Sequence, residues 1–310
     1  MKIIRLKDNS LASTIECSTS IAVGNFDGVH KGHQKLLDTL KSTAKELNTA
    51  TAVWSFCDFT PKNKGKCITL PDERISILAR LGIDYLILYE FESVKDLPCE
   101  EFLSKILINT CRAEAVCCGF NFRFGKNAEG DFNSLSQILS HYGKKAFMVD
   151  AYEMNGVTVS SSLIRQCIKN GDMEKANEYL GRHFSVCLPV VHGRKLGRTI
   201  DSPTINQNFP PEHIVPRYGV YACRVIIDGD YYGGVSNVGV RPSVNGQSVN
   251  CETHIFDYSG DLYDREIRVE FCKFIRDEQA FASVEELKNA ISRDKETARR
   301  ILEAFDTPHQ

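Results

Sequence analysis

The chain has 310 residues, of which 42% are hydrophobic and 25% are charged, with a formal net charge of −2. That length can bury two separate cores, and the balanced charge argues against a general attraction to nucleic acid or to an anionic membrane. The N-terminal segment lacks the apolar core of a signal peptide, and no apolar run approaches the length of a membrane span. We therefore expect a cytoplasmic protein with no nucleic-acid or membrane partner.

The twelve cysteines include no C-x-x-C pair, and several of them lie inside apolar runs. This spacing is typical of small buried hydrophobic residues in a reducing compartment, not of disulfides or a structural zinc site. The chemistry of the chain must therefore reside in other side chains.

From residue 15 to about 181, apolar runs with strand character alternate with segments of helical periodicity. The predicted strands are 21–23, 52–56, 85–89, 115–118 and 146–149, and the predicted helices include 72–81, 100–109 and 132–142. This alternation predicts an α/β domain with a parallel sheet covered by helices on both faces. Ligands of such sheets bind at the carboxyl ends of the strands.

His30 and His33 lie where the first predicted strand leads into a segment with apolar residues at helical spacing. Both imidazoles should therefore lie at a helix N-terminus, where unpaired backbone N–H groups and the helix dipole favour an anionic phosphate. For either histidine alone, a solvated side chain in a glycine-rich turn is the simpler interpretation, but the joint pattern favours a nucleotide-phosphate site. The residues of this turn predicted to bind the nucleotide are Gly24, Phe26, Asp27, Gly28 and Gly32.

A second loop, at residues 119–126, follows the fourth predicted strand and should project at the same edge of the sheet. The side-chain amide of Asn121 can donate a hydrogen bond to a phosphate. Phe122 and Phe124 offer apolar surface for a ring, with ordinary core packing as the alternative interpretation. Asn121 is thus the stronger candidate for a binding residue in this loop.

A third segment, at residues 159–165, places three consecutive serines and Arg165 at a predicted helix start. Serine hydroxyls, free N–H groups and a planar guanidinium can together bind phosphate oxygens. An ordinary serine N-cap followed by a solvated arginine is the alternative for this segment taken alone. The serines predicted to bind phosphate are Ser160, Ser161 and Ser162.

After about residue 184 the pattern changes to short extended runs separated by Gly, Pro and Asn, without helices between them. The runs at 186–191, 218–227, 231–238, 251–256 and 267–274 predict an antiparallel β-barrel. Ser283 and Glu286 form a capping-box pattern ahead of apolar residues at helical spacing, which predicts a terminal helix packed on the barrel. The domain boundary is predicted near residues 181–183.

The histidine turn resembles the H-x-G-H signature of the nucleotidyltransferase superfamily. Together with residues 119–126 and 159–165, it resembles the adenylyltransferase half of bacterial bifunctional riboflavin kinase/FAD synthetases. Residues 193–206, 219–222, 237–243 and 252–254 resemble the riboflavin kinase half of that family. The resemblance implies a Rossmann-like nucleotidyltransferase domain over residues 1–183 and a riboflavin kinase barrel over residues 184–310.

The resemblance also implies two reactions: phosphorylation of riboflavin to FMN, and adenylylation of FMN to FAD with release of pyrophosphate. ATP would be the co-substrate of both, and Mg²⁺ the cofactor; a homo-oligomer is compatible with the family likeness. The adenylyl transfer needs mainly alignment and charge neutralisation, because the attacking phosphate of FMN is already ionised. Phosphorylation of a hydroxyl needs a general base.

The implied catalytic residues are His30, His33 and Arg165 for adenylyl transfer, and Glu252 as the base of the kinase. In the kinase half, Gly197, Arg198, Thr204 and Asn206 would contact ATP phosphates, and Thr204 and Asn206 would also ligate Mg²⁺. The implied flavin contacts are Phe122, Phe124, Tyr221 and Arg276.

The chain departs from the family pattern at three places. Residues 56–61 lack the histidine of the F-x-P-H-P segment that many members have after the second strand, Asp201-Ser202 replaces Gly-Phe in the kinase signature, and Ile205 replaces Ala. An extra carboxylate near ATP phosphates is repulsive unless a cation offsets it. The sequence therefore predicts a working kinase with altered nucleotide handling; the alternatives are an adenylyltransferase with a weak or inactive kinase half, and a flavin-binding regulator without turnover.

Overall fold

The computed structural model describes residues 1–6, 15–57, 66–193, 203–243 and 246–306, without the side chains of 241–248 and 305–306. The chain forms two compact units, Met1–Ser161 and Ser162–Gln310. The compact units thus change at residue 161, whereas the sequence pattern changes near residue 184.

The first unit contains a six-stranded parallel sheet with the strand order β1-β4-β3-β2-β5-β6. Its strands are β1 (Lys2–Leu6), β2 (Thr19–Val23), β3 (Ala50–Phe56), β4 (Tyr85–Tyr89), β5 (Ala113–Gly119) and β6 (Lys145–Val149). This confirms the predicted parallel sheet and all five predicted strands. The sequence missed β1, because this edge strand buries Ile4 but carries charged residues on both sides of it and so shows no apolar run.

Helices cover both faces of the sheet. They are α1 (Lys31–Leu47), α2 (Pro71–Arg80), α3 (Phe91–Val94), α4 (Cys99–Glu101) and α5 (Phe132–His141). After α4 the chain continues as a π-helical segment, Phe102–Thr110, where an α-helix is predicted. Alternate residues of β3 point to opposite faces of the sheet. Trp54 packs with Phe102 on one face, and Val53 packs with Leu37 on the other. This two-sided burial is the reason that parallel strands appear as continuous apolar runs in the sequence.

A small hairpin closes the first unit, with β7 (Glu153–Met154) paired to β8 (Val157–Thr158). Two helices follow, α6 (Ser161–Asn170) and α7 (Met173–Leu180). In the second unit α7 packs against the barrel, since Asn177 Nδ2 donates to Phe271 O at 2.9 Å and Asn177 Oδ1 accepts from Phe184 N at 2.6 Å. One asparagine therefore connects α7 to two strands.

The second unit is an antiparallel barrel with the strand order β10-β13-β12-β11-β14-β9, as predicted. Its strands are β9 (Phe184–Pro189), β10 (Ile205–Asn208), β11 (Gly219–Ile227), β12 (Asp230–Ser243), β13 (Gly246–Ile255) and β14 (Glu266–Arg276). Gln207 helps to close the barrel, because its buried Nε2 donates to Leu188 O at 2.6 Å and to Ile267 O at 2.8 Å. The sequence missed β10, in which three of the four residues are polar amides.

The chain ends in α8 (Val284–Asp306), which confirms the predicted terminal helix. Glu286 N donates to Ser283 Oγ at 3.1 Å at its start, and Ala298 and Leu302 pack on the barrel residues Val220 and Ala222. Within the described ranges, every helix is too short or too polar to cross a membrane. Eight of the twelve cysteines are buried.

Candidate functional site

The turn between β2 and α1 has a strained backbone. Phe26 has φ 50°, Val29 has φ 39°, and Gly28 between them has φ 80°. A non-glycine residue with such a positive φ costs on the order of 1–3 kcal/mol and persists only where its surroundings enforce it. Both Phe26 and Val29 are completely buried, so their packing offsets this cost. Strain of this kind is concentrated at functional sites.

His30 and His33 lie at the start of α1, as the sequence predicts, with their rings stacked at 3.7 Å between centroids and 17° between planes. His30 is the N-cap residue, and its Nδ1 accepts a hydrogen bond from His33 N at 3.3 Å. Because Nδ1 accepts, the hydrogen of the neutral His30 ring is on Nε2. A Cβ at Gly32 would lie 3.1 Å from the His30 ring, so glycine at this position lets the ring fold back over the helix start.

The ring of His33 contacts Phe26, with 5.1 Å between centroids. Burial lowers the pKa of His33 well below its ordinary value, and the neighbouring His30 and Arg74 lower it further. Its buried Nδ1 has no hydrogen-bond partner among the described residues. A neutral ring with its hydrogen on Nε2 avoids a buried N–H without an acceptor. The rings of His30 and His33 therefore lie side by side, each with an Nε2–H donor.

Asp27 stabilises the turn through hydrogen bonds to backbone amides. It is 3% exposed, and its Oδ1 accepts from Ile68 N at 2.9 Å and from Thr69 N at 3.3 Å. Thr69 Oγ1 in turn accepts from Gly28 N at 3.1 Å. The carboxylate predicted to bind phosphate is thus engaged by backbone amides, and the ring of Phe26 is in the core. Sequence reasoning missed Thr69, because it lies outside the motif.

Ser161, at the first position of α6, donates its hydroxyl to Asp27 O at 2.9 Å. The structure therefore joins the serine segment to the histidine turn, although through a backbone contact instead of a shared ligand. Ser160 directly precedes α6, while Ser162 and Arg165 lie within it.

In the loop after β5, the two phenylalanines of the predicted site differ in their burial. The rings of Phe122 and Phe124 are stacked with 5.7 Å between centroids. Phe124 is 5% exposed and packs against Phe102, so it belongs to the core, as the alternative interpretation had it. Phe122 is partly buried and Asn121 is exposed, which leaves both accessible at this edge of the sheet.

In the barrel, polar side chains of three neighbouring strands lie in one row. Glu252 of β13 is directly opposite Asn206 of β10 on one side and Asn237 of β12 on the other. Directly opposed residues share a face of the sheet, so the predicted base and the predicted phosphate ligand are neighbours. Asn237 Nδ2 also donates to Glu278 Oε1 at 3.2 Å, which extends the row by a second carboxylate.

Thr204 and Asn206 line a cavity of about 360 Å³ together with Gly193, Ile205 and Asp261. Gly193 lies so close that a Cβ on it would come within 2.6 Å of Asn206 Nδ2. The loop before β10 is fixed by a hydrogen bond of 2.9 Å between His254 Nδ1 and Pro203 O. The described part of the kinase signature thus forms the wall of one cavity.

Tyr221 and Arg276, the predicted flavin contacts in the barrel, both contact other parts of the protein. Tyr221 is completely buried, its ring packs against Phe271, and its hydroxyl donates to Arg217 O. Arg276 makes two hydrogen bonds to the Asp294 carboxylate of α8, at 2.9 and 2.7 Å. Tyr221 therefore has no accessible ring face for a flavin, and the guanidinium of Arg276 anchors the terminal helix. Gly197, Arg198, Asp201, Ser202 and residues 58–61 of the segment that lacks the family histidine lie outside the described residues.

Comparison with known proteins matches each half of the chain to a protein family. Residues 12–163 match the FAD synthetase family, and residues 180–302 match the riboflavin kinase family. The bifunctional riboflavin kinase/FMN adenylyltransferase of Escherichia coli K12 is 36% identical, over 97% of this chain and 98% of its own length. That of Bacillus subtilis 168 is 34% identical, over 93% of both chains.

A solved structure from Streptococcus pneumoniae, described as a macrolide-efflux protein, has a TM-score of 0.88 and 28% identity, covering 96% of this chain and 99% of the other. The similarity thus extends through both units, in fold as well as in sequence. These findings confirm the family resemblance carried by the motifs. The chain belongs to the bifunctional riboflavin kinase/FMN adenylyltransferase family.

Proposed function

We propose that the chain phosphorylates riboflavin to FMN with ATP and then transfers AMP from a second ATP to FMN, which yields FAD and pyrophosphate. The observation that carries the proposal is the presence of two distinct sites, the stacked His30–His33 pair and the Asn206–Glu252 row, in matched halves of one chain. We assign the adenylyl transfer to residues 1–183 and the kinase to residues 184–310. Function in the cytoplasm and assembly into a homo-oligomer remain predictions.

In the adenylyl transfer, the FMN phosphate attacks the α-phosphorus of ATP, and the bond to the pyrophosphate breaks. His30 and His33 donate their Nε2–H groups to phosphate oxygens of ATP, where negative charge builds up in the transition state. The N-cap hydrogen bond and the ring stacking orient both donors before the nucleotide binds. We propose that Phe26 and Asp27 shape this turn, while Gly24, Gly28 and Gly32 allow phosphates close to the backbone.

The remaining residues of this site are assigned by the family motifs. Ser160, Ser162 and Arg165 are proposed to contact phosphates, and Asn121 and Phe122 to contact the nucleotide or the flavin. The exposed position of Asn121 and the partial exposure of Phe122 support these roles. The burial of Phe124 argues for a supporting role beneath them.

In the kinase reaction, Glu252 takes the proton of the terminal riboflavin hydroxyl as that oxygen attacks the γ-phosphorus of ATP. Asn206 lines the cavity and lies directly opposite Glu252, which supports a phosphate site close to this base. The proton goes to the carboxylate and ADP leaves. Gly197 and Arg198 are proposed to complete the phosphate contacts.

The residues of this cavity suit Mg²⁺. Thr204 and Asn206 provide a hydroxyl and an amide oxygen, which are hard ligands of the kind that Mg²⁺ prefers. The described residues contain no cluster of three or more His, Cys, Asp or Glu side chains suited to a metal. When bound there, Mg²⁺ neutralises charge on the phosphates.

A second candidate function is FMN adenylylation with a weak kinase half. Ile205 lines the nucleotide cavity where the family pattern has alanine, so a larger side chain reduces the space for ATP. This observation is specific to the kinase site and does not affect the histidine turn.

A time course with purified protein distinguishes these functions. With riboflavin, ATP and Mg²⁺, we expect FMN to appear first and FAD to follow. FAD formed from added FMN, but no flavin nucleotide formed from riboflavin, would support the adenylyltransferase with an inactive kinase. Tight flavin binding with no product from either substrate would support a regulator and contradict both enzymatic functions.

A further inference from the structure

Arg74 is a buried arginine that connects two strand ends at the carboxyl edge of the parallel sheet. It lies in the first half of α2 and is 8% exposed. Its Nη1 donates to Asn25 O at 2.9 Å, and its Nη2 donates to Phe56 O at 2.6 Å. Asn25 follows β2 and Phe56 ends β3, which is the neighbouring strand. One guanidinium therefore spans the edge at which the histidine turn begins.

The orientation of the Asn25 carbonyl is important for the shape of that turn, because the next residue, Phe26, has a φ of 50°. The same carbonyl also accepts from Ser55 Oγ at 3.1 Å. Two donors thus fix the orientation of the peptide unit immediately before the strained residue. Without them, this peptide unit can rotate and relieve the strain, which would move the ring of Phe26 that contacts His33.

Arg74 acts together with the residues that precede it. Ile68 and Thr69 hold Asp27 through backbone amides, and Thr69 Oγ1 accepts from Gly28 N. The segment 68–74 therefore contacts the turn at three residues, 25, 27 and 28. Within this segment, the Arg74 side chain also reaches Phe56 at the end of β3, so it adds to the Ser55–Asn25 hydrogen bond in fixing the turn against the neighbouring strand.

We propose that Arg74 is a positioning residue for adenylyl transfer, which fastens Asn25 and Phe56 and thereby keeps the ring of His33 stacked on His30. A buried guanidinium is costly to desolvate, and here one hydrogen bond goes to the backbone of the active-site turn and another to the end of the neighbouring strand. The inference rests on the adenylyl transfer proposed above. Arg74 does not contact the reacting atoms in this role, and its effect reaches them through the turn.

Two variants separate the geometry from the charge. Arg74→Lys keeps a cation but loses the planar fork that reaches both carbonyls, and Arg74→Gln loses both properties. We expect each to lower kcat for FAD formation from FMN by about tenfold or more, since small displacements of catalytic groups have effects of this size. The riboflavin kinase rate of the same protein serves as the folding control and should change less than about twofold. Arg80→Gln, an exposed arginine on the same helix, is the matched control.

Histidine NMR provides a readout that does not depend on FMN. His30 and Arg74 are the titratable or charged groups that act on His33 in the described structure. In Arg74→Gln the titration midpoint of His33 should move to higher pH, because a cation that disfavours protonation is lost. In Arg74→Lys it should move less, and in Arg80→Gln it should stay at the wild-type position.

The proposal is overturned if both Arg74 variants keep the wild-type kcat for FAD formation, or if they lower only the melting temperature. It is also overturned if His33 titrates alike in wild type and Arg74→Gln. If the wild-type protein forms no FAD at all, the proposed adenylyl transfer fails, whereas the His33 titration still tests the link between Arg74 and the histidine turn.

Discussion

The two sites of this protein are built in opposite ways. The histidine site is a strained turn whose shape is imposed from outside by buried side chains and backbone amides of residues 68–74. The kinase site is a row of side chains on regular, directly opposed strand residues, where register alone brings Asn206, Glu252 and Asn237 together. The first site should therefore be sensitive to distant packing, and the second mainly to changes in its own side chains.

The largest effect is expected at the kinase base. Glu252→Gln keeps the shape of the side chain but cannot accept the proton, so riboflavin phosphorylation should fall by about 10²–10⁴-fold. FAD formation from added FMN should remain at the wild-type rate, because we assign that reaction to the other half of the chain. The measurement is the initial rate of each reaction, with Glu266→Gln as an exposed control carboxylate. An equal loss of both activities would show that the sites are not independent.

A smaller but still large effect is expected from His30→Asn. The asparagine oxygen can replace Nδ1 as the N-cap acceptor, while the stacked ring and its Nε2–H donor are lost. FAD formation should fall by about 10²–10³-fold, as for removal of one transition-state donor, with little change in the melting temperature. His30→Ala, which also removes the cap, should additionally cost about 1 kcal/mol of stability. Equal activity of wild type and His30→Asn would refute the proposed donor role.

A moderate effect is expected from Gly193→Ala, where the new Cβ would lie 2.6 Å from Asn206 Nδ2. The methyl group should displace the amide and raise KM for ATP in the kinase reaction by about tenfold, equivalent to about 1.4 kcal/mol. Riboflavin titrations at fixed ATP, and FAD formation from FMN, are the internal controls. An unchanged KM for ATP would mean that Asn206 does not contact the nucleotide.

The smallest effect is expected from Gln207→Leu, which removes the donors to Leu188 O and Ile267 O where the barrel closes. Loss of these buried hydrogen bonds should lower the free energy of unfolding by about 1–3 kcal/mol. We expect less than about a twofold change in either kcat, because the register of β10 on β13 is set by backbone pairing. Denaturant unfolding followed by fluorescence measures the stability. A large loss of kinase activity would mean that the row depends on distant support, as the histidine turn does.

The same contrast explains what could be predicted from the sequence. Apolar runs identified five strands of the parallel sheet, and the joint spacing of glycines and histidines located the turn, because these signals are local. The role of Asp27 could not be predicted, since its partners Ile68 and Thr69 are distant in the chain and bind through backbone amides that leave no trace in composition. Tyr221 shows a second limit, because a position in a motif does not reveal whether a side chain faces a ligand or its own core.

Asn177 has a consequence for dividing the protein. Its side chain joins α7 to Phe184 and Phe271 of the barrel, although the sequence pattern of the barrel begins only after α7. A kinase fragment that starts at residue 184 would leave the amide of Phe184 and the carbonyl of Phe271 without these partners. An autonomous kinase fragment should therefore include the two helices from Ser162 onward, so that the natural cutting point for separate expression lies some twenty residues before the change in sequence pattern.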